Sequence, residues 1–231
     1  MKLFNLAMIL MALGVLLVAP FAVAAPSGAS VSQGTPEAPT ASSATTVDSV
    51  GGNVTQVNVS GWVVTTKWVG FYGEVSGDIR LADSSNHIFY QWTVSDPTGA
   101  VVYACNGTVS DWSASNIIPI YAENASTGWL PAFLIDGTDS FNVTFTNREQ
   151  FKSNSLTIDD VNYTTTWQDG SKGSDFKTYA LASYTDKTLI WAGKAVADQT
   201  AFNSGTADYQ ILAGVNSQSG TTTFYFYLEL P

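Results

Sequence analysis

The sequence contains a single cysteine, Cys105, and a single histidine, His87, among 231 residues. One cysteine excludes an intramolecular disulfide and a cysteine-ligated zinc site. One histidine excludes a multi-histidine metal centre and leaves little imidazole for general acid–base catalysis. A Gly-x-Ser-x-Gly nucleophile motif is also missing. These shortages predict a protein that is not an enzyme, and no residue is assigned a catalytic role.

Basic residues are scarce as well. Nine Lys and Arg face nineteen Asp and Glu, which gives a net charge of -10. So few and so scattered positive charges exclude a protein that binds nucleic acid through the phosphate backbone. Only 12% of residues are charged while 45% are hydrophobic and 13% aromatic, so the chain is rich enough in apolar side chains to bury a core.

The N-terminal segment has the order of a secretory signal. Lys2 precedes an almost wholly apolar run, and Ala22-Val23-Ala24 has the small-x-small pattern of a cleavage site. We therefore predict a signal peptide over residues 1–24 and a secreted, extracellular protein at the cell surface. No later stretch reaches the ~20 apolar residues that a membrane-spanning helix needs, so no span is expected after cleavage.

Residues 25–47 are dominated by Ala, Pro, Ser and Thr and predict a disordered linker. From residue 48 to 231, short β-branched and aromatic runs alternate with Gly, Asn, Asp and Ser clusters, which predicts a single all-β domain. Period-2 alternation indicates strands over 88–94, 141–145 and 224–230. We expect an antiparallel β-sandwich, of jelly-roll or immunoglobulin-like type.

Two turn sequences predict hairpins. Asp96-Pro97-Thr98-Gly99 places Pro and Gly where a β-turn prefers them and would join the run at 87–95 to the run at 100–105. The stretch 216–220 would join 208–215 to 221–230 in the same way.

Asn-x-Ser/Thr sequons occupy six of the twelve asparagines that follow residue 24. Such acceptors must face solvent to be glycosylated. Strand phase places Asn142 and Asn162 opposite the apolar face, so these two are the foremost predicted sites. The full set of predicted N-glycosylation sites is Asn53, Asn58, Asn106, Asn124, Asn142 and Asn162.

Acidic loops provide candidate calcium ligands. Fourteen of the nineteen acids are Asp, a residue that suits both turns and Ca²⁺ coordination. The two best loops, 136–139 and 169–175, match no EF-hand pattern. Structural calcium is the one cofactor that the sequence suggests. The candidate ligands are Asp136, Asp139, Asp169 and Asp175.

Aromatic side chains in the least regular stretch are candidates for carbohydrate contact, because exposed rings stack on sugars. The alternative is core packing, where a tryptophan buries a large area. The residues concerned are Trp112, Trp129 and Tyr121.

Several blocks of sequence resemble a largely uncharacterised family of secreted, N-glycosylated, β-rich archaeal surface proteins. The resemblance covers about 48–231 and implies location and architecture but no reaction. The blocks are Trp68-Val69-Gly70-Phe71-Tyr72-Gly73-Glu74-Val75-Ser76-Gly77, Ile79-Arg80-Leu81-Ala82-Asp83, Phe89-Tyr90-Gln91-Trp92, Asp139-Ser140-Phe141-Asn142-Val143-Thr144-Phe145, Asp208-Tyr209-Gln210-Ile211-Leu212 and Phe224-Tyr225-Phe226-Tyr227-Leu228-Glu229-Leu230.

The leading hypothesis is a structural or adhesive glycoprotein of the cell surface, either associated with an S-layer or forming an extracellular filament. Its partners would be further copies of itself, other surface proteins or glycans. A carbohydrate-binding module is the alternative, and a secreted glycoside hydrolase is the third. The β-rich stretch Val54 to Val64 follows a flexible tail, so residues 45–60 are a candidate for strand donation to a neighbour. They could instead pair within their own domain.

Overall fold

A computed structural model describes residues 25–40, 43–121 and 129–231. The predicted signal peptide and Asn124 lie outside these residues. The described chain is nearly all antiparallel β-structure, which confirms the all-β, sandwich-like single domain. Within the described residues, no helix has the length and apolar character required to cross a bilayer.

The main sheet has eight strands, of which seven run in the order β1-β14-β5-β10-β9-β8-β7 while β6 pairs with part of β9. Its long hairpins come from adjacent strands of the chain. The bounds are β1 Ser27–Gly28, β5 Val101–Cys105, β6 Ile117–Pro119, β7 Asn147–Lys152, β8 Thr157–Gln168, β9 Ser171–Ser183, β10 Thr188–Lys194 and β14 Tyr225–Glu229.

Three two-stranded sheets and two helical turns complete the described fold: β2–β13, β3–β4 and β11–β12. Their bounds are β2 Trp68–Gly73, β3 Gly77–Ala82, β4 Ile88–Val94, β11 Gln199–Thr200, β12 Thr206–Ala207, β13 Tyr209–Gly214, α1 Ala132–Ile135 and α2 Phe141–Thr144.

The core lies on both faces of the main sheet. On one face, Trp191 and its neighbours pack against the β2–β13 pair and the two helical turns. On the other face, Tyr103 and Tyr179 pack against Phe151 and residues 156–161 from the curled end of the sheet. A covered sheet of this kind explains why strands such as β5 and β10 are almost continuously apolar.

Two glycines permit the close approach of β13 to the main sheet. A Cβ at Gly193 would lie 2.5 Å from the Ile211 side chain, and one at Gly214 would lie 3.0 Å from the Trp191 ring of β10. Since side chains rarely tolerate contacts this close, the absence of a Cβ at both positions sets the spacing of the layers.

Three sequence-based predictions of local structure were wrong. The β4 strand pairs with β3 rather than with β5, and β13 pairs with β2 rather than with β14, so neither proposed hairpin forms. A turn forms one residue later than predicted, at 97–100, where the Ala100 amide donates to the Pro97 carbonyl. Residues 141–144 form a helical turn instead of a strand, since Phe141 and Phe145 stack at i and i+4 with centroids 4.9 Å apart.

The N-terminal part of the described chain has two distinct environments. Ser27 and Gly28, inside the predicted linker, pair with Leu228 and Tyr227 of β14. Residues 43–66, which include the start of the predicted domain, are exposed and contain no assigned strand.

Candidate functional site: an uncovered hairpin and an open sheet edge

The β3–β4 hairpin is a regular antiparallel ribbon that pairs with no other described strand. Ile79 lies opposite Trp92 and Leu81 lies opposite Tyr90. Because side chains alternate along a strand, these four residues and Ile88 share one face. We call this set the apolar hairpin face.

No other described strand pairs with the hairpin, and its apolar face is about half-exposed. Its five side chains are each between 47% and 57% exposed. The rings of Tyr90 and Trp92 lie side by side, with centroids 4.7 Å apart. A contiguous exposed apolar patch is a candidate interaction surface.

The opposite face of the hairpin is polar and well ordered by hydrogen bonds. The Thr93 hydroxyl donates to Asp78 over 3.0 Å, and the Arg80 guanidinium lies 3.2 Å from the same carboxylate. These contacts hold the pKa of Asp78 below its ordinary value. Phe89 is the exception on this face and is 83% exposed.

The turn of the hairpin is stabilised by Asp83. Its carboxylate accepts hydrogen bonds from the amides of Ser85 and His87 and contacts the His87 ring at 2.8 Å. The backbone hydrogen bond from His87 lowers the pKa of Asp83. His87 is a surface residue in this turn, so the ribbon has a defined conformation although its apolar face is about half-exposed.

A second exposed apolar region is the stretch at 43–66, here called the exposed segment. Val59 and Val63 are 90% and 93% exposed, and the segment contains a single charged residue, Asp48. Its C-terminal end is fixed because the Thr65 hydroxyl donates to Asp139 and Lys67 forms a 2.7 Å ion pair with the same residue.

The two edges of the main sheet differ in chemistry. The β7 edge has the sequence Asn-Arg-Glu-Gln-Phe-Lys and a register irregularity between Glu149 and Phe151. Charged side chains and bulges of this kind protect an edge from pairing with other chains. The β14 edge has the sequence Tyr-Phe-Tyr-Leu-Glu, and in the described part of the chain it pairs with the short β1 alone.

Three of the four predicted calcium ligands, Asp139, Asp169 and Asp175, have side-chain hydrogen-bond partners. Asp139 is paired with Lys67, whose ammonium also donates to the Asp136 carbonyl over 2.5 Å. The hydrogen bond from Lys67 lowers the pKa of Asp139. Asp169 and Gly170 have φ values of 44° and 77° and form the two-residue turn between β8 and β9. Asp-Gly is a strong signal for such a hairpin turn.

Among the described residues, one acidic group has the proximity that a cation site requires: Glu74, Asp198 and Asp208. The buried Asp208 carboxylate accepts hydrogen bonds from the amides of Val75 and Asp198. Desolvation and the nearby charge of Asp208 raise the pKa of Glu74. These are the residues that could hold a hard cation, and structural calcium itself stays a prediction.

The three aromatic residues predicted to contact carbohydrate are not brought together. Trp112 packs between Tyr103 and Tyr227 on one face of the main sheet, while Trp129 belongs to the core on the other face. Tyr121 is half-buried beneath Arg148, with the guanidinium 4.7 Å from the ring centroid. They provide no shared stacking platform.

The sequons fall into three environments. Asn53, Asn58 and Asn142 are exposed. The Asn106 amide is half-buried and donates to Asn216 over 2.6 Å. Asn162 is only 5% exposed, so its predicted outward orientation was wrong. It lies on an internal strand that is buried on both faces at this position, where alternation no longer separates core from solvent.

Cys105 is buried in the core, where desolvation raises the pKa of its thiol and disfavours the thiolate.

Comparison of the chain with protein-family models, with curated proteins and with solved structures gives no match.

Proposed function

We propose that this protein is a secreted, glycosylated structural subunit of the cell surface that associates with further copies of itself. The observation that carries the proposal is the apolar hairpin face, whose five side chains are about half-exposed on a hairpin that pairs with no other described strand.

Burial of this face favours association. Full burial of a large apolar side chain contributes about 1.5–3 kcal/mol, so covering five half-exposed side chains contributes several kcal/mol before the costs of association. An isolated two-stranded hairpin is marginally stable in water. A neighbour that covers this face therefore also stabilises the hairpin.

The charge distribution favours contacts through the uncharged regions. Two copies with a net charge of -10 repel each other at long range. The apolar hairpin face carries no charge, and the exposed segment has only Asp48. Close contact is least unfavourable through these two regions.

Glycan acceptors fit a surface role. Asn53 and Asn58 lie in the exposed segment, and Asn142 lies on an exposed helical turn. Glycans at these positions would add hydration and bulk outside the apolar hairpin face.

The test is a pair of hairpin variants. We expect Leu81→Asp, which places a charge on the apolar hairpin face, to convert assembled protein to monomer in light scattering and electron microscopy. Phe89→Ser is the matched control, because Phe89 is exposed on the opposite face of the same hairpin. Retention of full assembly by Leu81→Asp would contradict the proposal.

A second candidate function, carbohydrate binding, is favoured by one observation. Tyr90 and Trp92 form an exposed aromatic pair, and such rings stack on sugars. Trp92→Leu retains apolar contact but removes the large ring. Loss of polysaccharide binding with unchanged assembly in this variant would favour the carbohydrate role, and the reverse result would favour self-association.

A further inference from the structure

We propose that the open edge of β14 accepts residues 54–64 of a second copy as an additional β-strand, which takes the place of β1. This inference rests on the proposed self-association and adds a second contact to the one through the apolar hairpin face.

The acceptor is an incompletely covered strand. β14 is hydrogen-bonded along one side to β5, from Tyr225 opposite Cys105 to Glu229 opposite Val101. Among the described residues, its other side meets two paired residues and one further hydrogen bond, from the Ala29 amide to the Phe226 carbonyl. The unused backbone groups at the start of β14 are available to a longer strand.

The strand that occupies this edge fills it poorly. Gly28 has no side chain, and a Cβ placed there would meet nothing within 4 Å. An open groove of about 490 Å³ lies beside it, lined by Gly28, Ala29, Val31 and residues 224–227. The groove therefore has room for larger side chains than those of β1.

The donor has the pattern that the edge lacks. Val57, Val59 and Val63 have the same strand phase, and Asn58 and Ser60 have the opposite one. On an added strand the valines would extend the apolar row of Phe226 and Leu228, and the Asn58 acceptor would point to the other side. Eleven extended residues span ~36 Å, which is more than the five residues of β14 require.

A second copy is the occupant because each chain presents one donor and one acceptor. Within the described chain, residues 54–64 pair with no strand, while β1 occupies the edge. No charged residue lies between 49 and 66, so the donor adds no negative charge to the approach of two copies of charge -10. Contacts between different patches, repeated from copy to copy, produce open-ended chains unless a ring closes.

Cysteine cross-linking tests the pairing directly. One set of chains carries Tyr225→Cys, and a differently tagged set carries a single cysteine at Val57, Asn58, Val59 or Ser60. All chains start at Ala25 and have Cys105→Ala, since Tyr225 and Cys105 are cross-strand partners. Facing residues of paired strands lie about 4.5–5.5 Å apart, within disulfide reach.

We expect a mixed-tag disulfide dimer at Asn58 or Ser60, which share the strand phase of Tyr225 when the valines align with Phe226 and Leu228. Val57 and Val59 would point to the opposite face and give no dimer, and no donor position should give one when the acceptor cysteine is at Gln150 on the β7 edge. Chains that assemble by light scattering but give no such cross-link would overturn the inference and leave the proposed function intact. Chains that remain monomeric throughout would contradict the proposed function itself. A third set of chains carries the donor and the acceptor cysteine together. A disulfide that forms within these chains, but not between the two single-cysteine sets, would overturn the assignment of the donor to a second copy.

A backbone variant provides an independent readout. Val59→Pro removes a backbone amide donor from the proposed added strand. Val47→Pro is the control, because it removes an amide donor at an exposed valine that lies outside that strand. We expect Val59→Pro alone to weaken assembly by about tenfold or more, the effect of ~1.4 kcal/mol. Equal thermal melting of the two variants would show that the fold is unaffected. Equal assembly of the two variants would contradict the pairing.

Discussion

Among single residues, the buried Glu229 is central to the attachment of the last strand. Its carboxylate accepts hydrogen bonds from the Tyr103 hydroxyl at 2.7 Å and from the Ser155 amide at 2.5 Å. Desolvation, with the charge of Glu229, raises the pKa of Tyr103 well above its ordinary value, so the phenol remains a donor. The hydroxyl therefore compensates a buried carboxylate that would otherwise lack one partner.

We predict that Tyr103→Phe lowers the free energy of unfolding by about 1–3 kcal/mol, because it leaves a buried acceptor without its donor. Urea denaturation followed by fluorescence measures the change. Tyr225→Phe, at an exposed position on β14, is the control and should have little effect. Equal stability of the two variants would show that the Tyr103–Glu229 hydrogen bond contributes nothing.

The cluster of Glu74, Asp198 and Asp208 predicts a specific dependence of stability on pH. The pKa of Glu74 is raised above 4.5 by desolvation and by the charges of Asp208 and Asp198. The folded state therefore holds this proton more tightly than the unfolded state, and the resulting stability is lost as pH rises through the folded pKa.

Glu74→Gln should accordingly raise the melting temperature at pH 7, where the wild-type carboxylate is charged. The gain should disappear below about pH 4, where Glu74 is protonated in both states. Glu37→Gln, an exposed change outside this group, is the control. A gain that is independent of pH would contradict the repulsion between these carboxylates.

At the scale of elements, the sequence predicts where a strand lies better than it predicts which strand pairs with it. Alternation correctly indicates the strand at 88–94 because period 2 is a local property of an extended chain. It cannot identify β3 rather than β5 as the neighbour of β4, since pairing is decided by packing between distant segments. The local Asp-Gly signal of the β8–β9 turn was present in the sequence but was interpreted as a calcium loop.

Burial explains the remaining differences between sequence and structure. The run at 141–145 has a strand-like alternation, yet the stacking of Phe141 on Phe145 favours a helical turn. Asn162 has the outward phase of a half-exposed strand, but β8 is buried on both faces at Val161 and Asn162. The β3–β4 hairpin differs in the opposite direction. Its sequence predicts apolar strands, which are usually buried, whereas the structure shows that their apolar face is about half-exposed.

The whole molecule combines a high negative charge with two almost uncharged exposed regions. Its net charge is -10, yet the apolar hairpin face and residues 49–66 carry no charge. This distribution keeps isolated copies apart in solution while leaving defined surfaces on which they can meet. Exposed sequons at Asn53, Asn58 and Asn142 lie outside the apolar hairpin face.

Sedimentation equilibrium tests the central claim of self-association most directly. It measures the molar mass of the chain from Ala25 onward at increasing ionic strength. Screening shortens the reach of repulsion from about 30 Å at 0.01 M salt to about 10 Å at 0.1 M. The account predicts that the mass rises above that of one chain with concentration, and rises further with added salt. A single-chain mass at every concentration and ionic strength would contradict it.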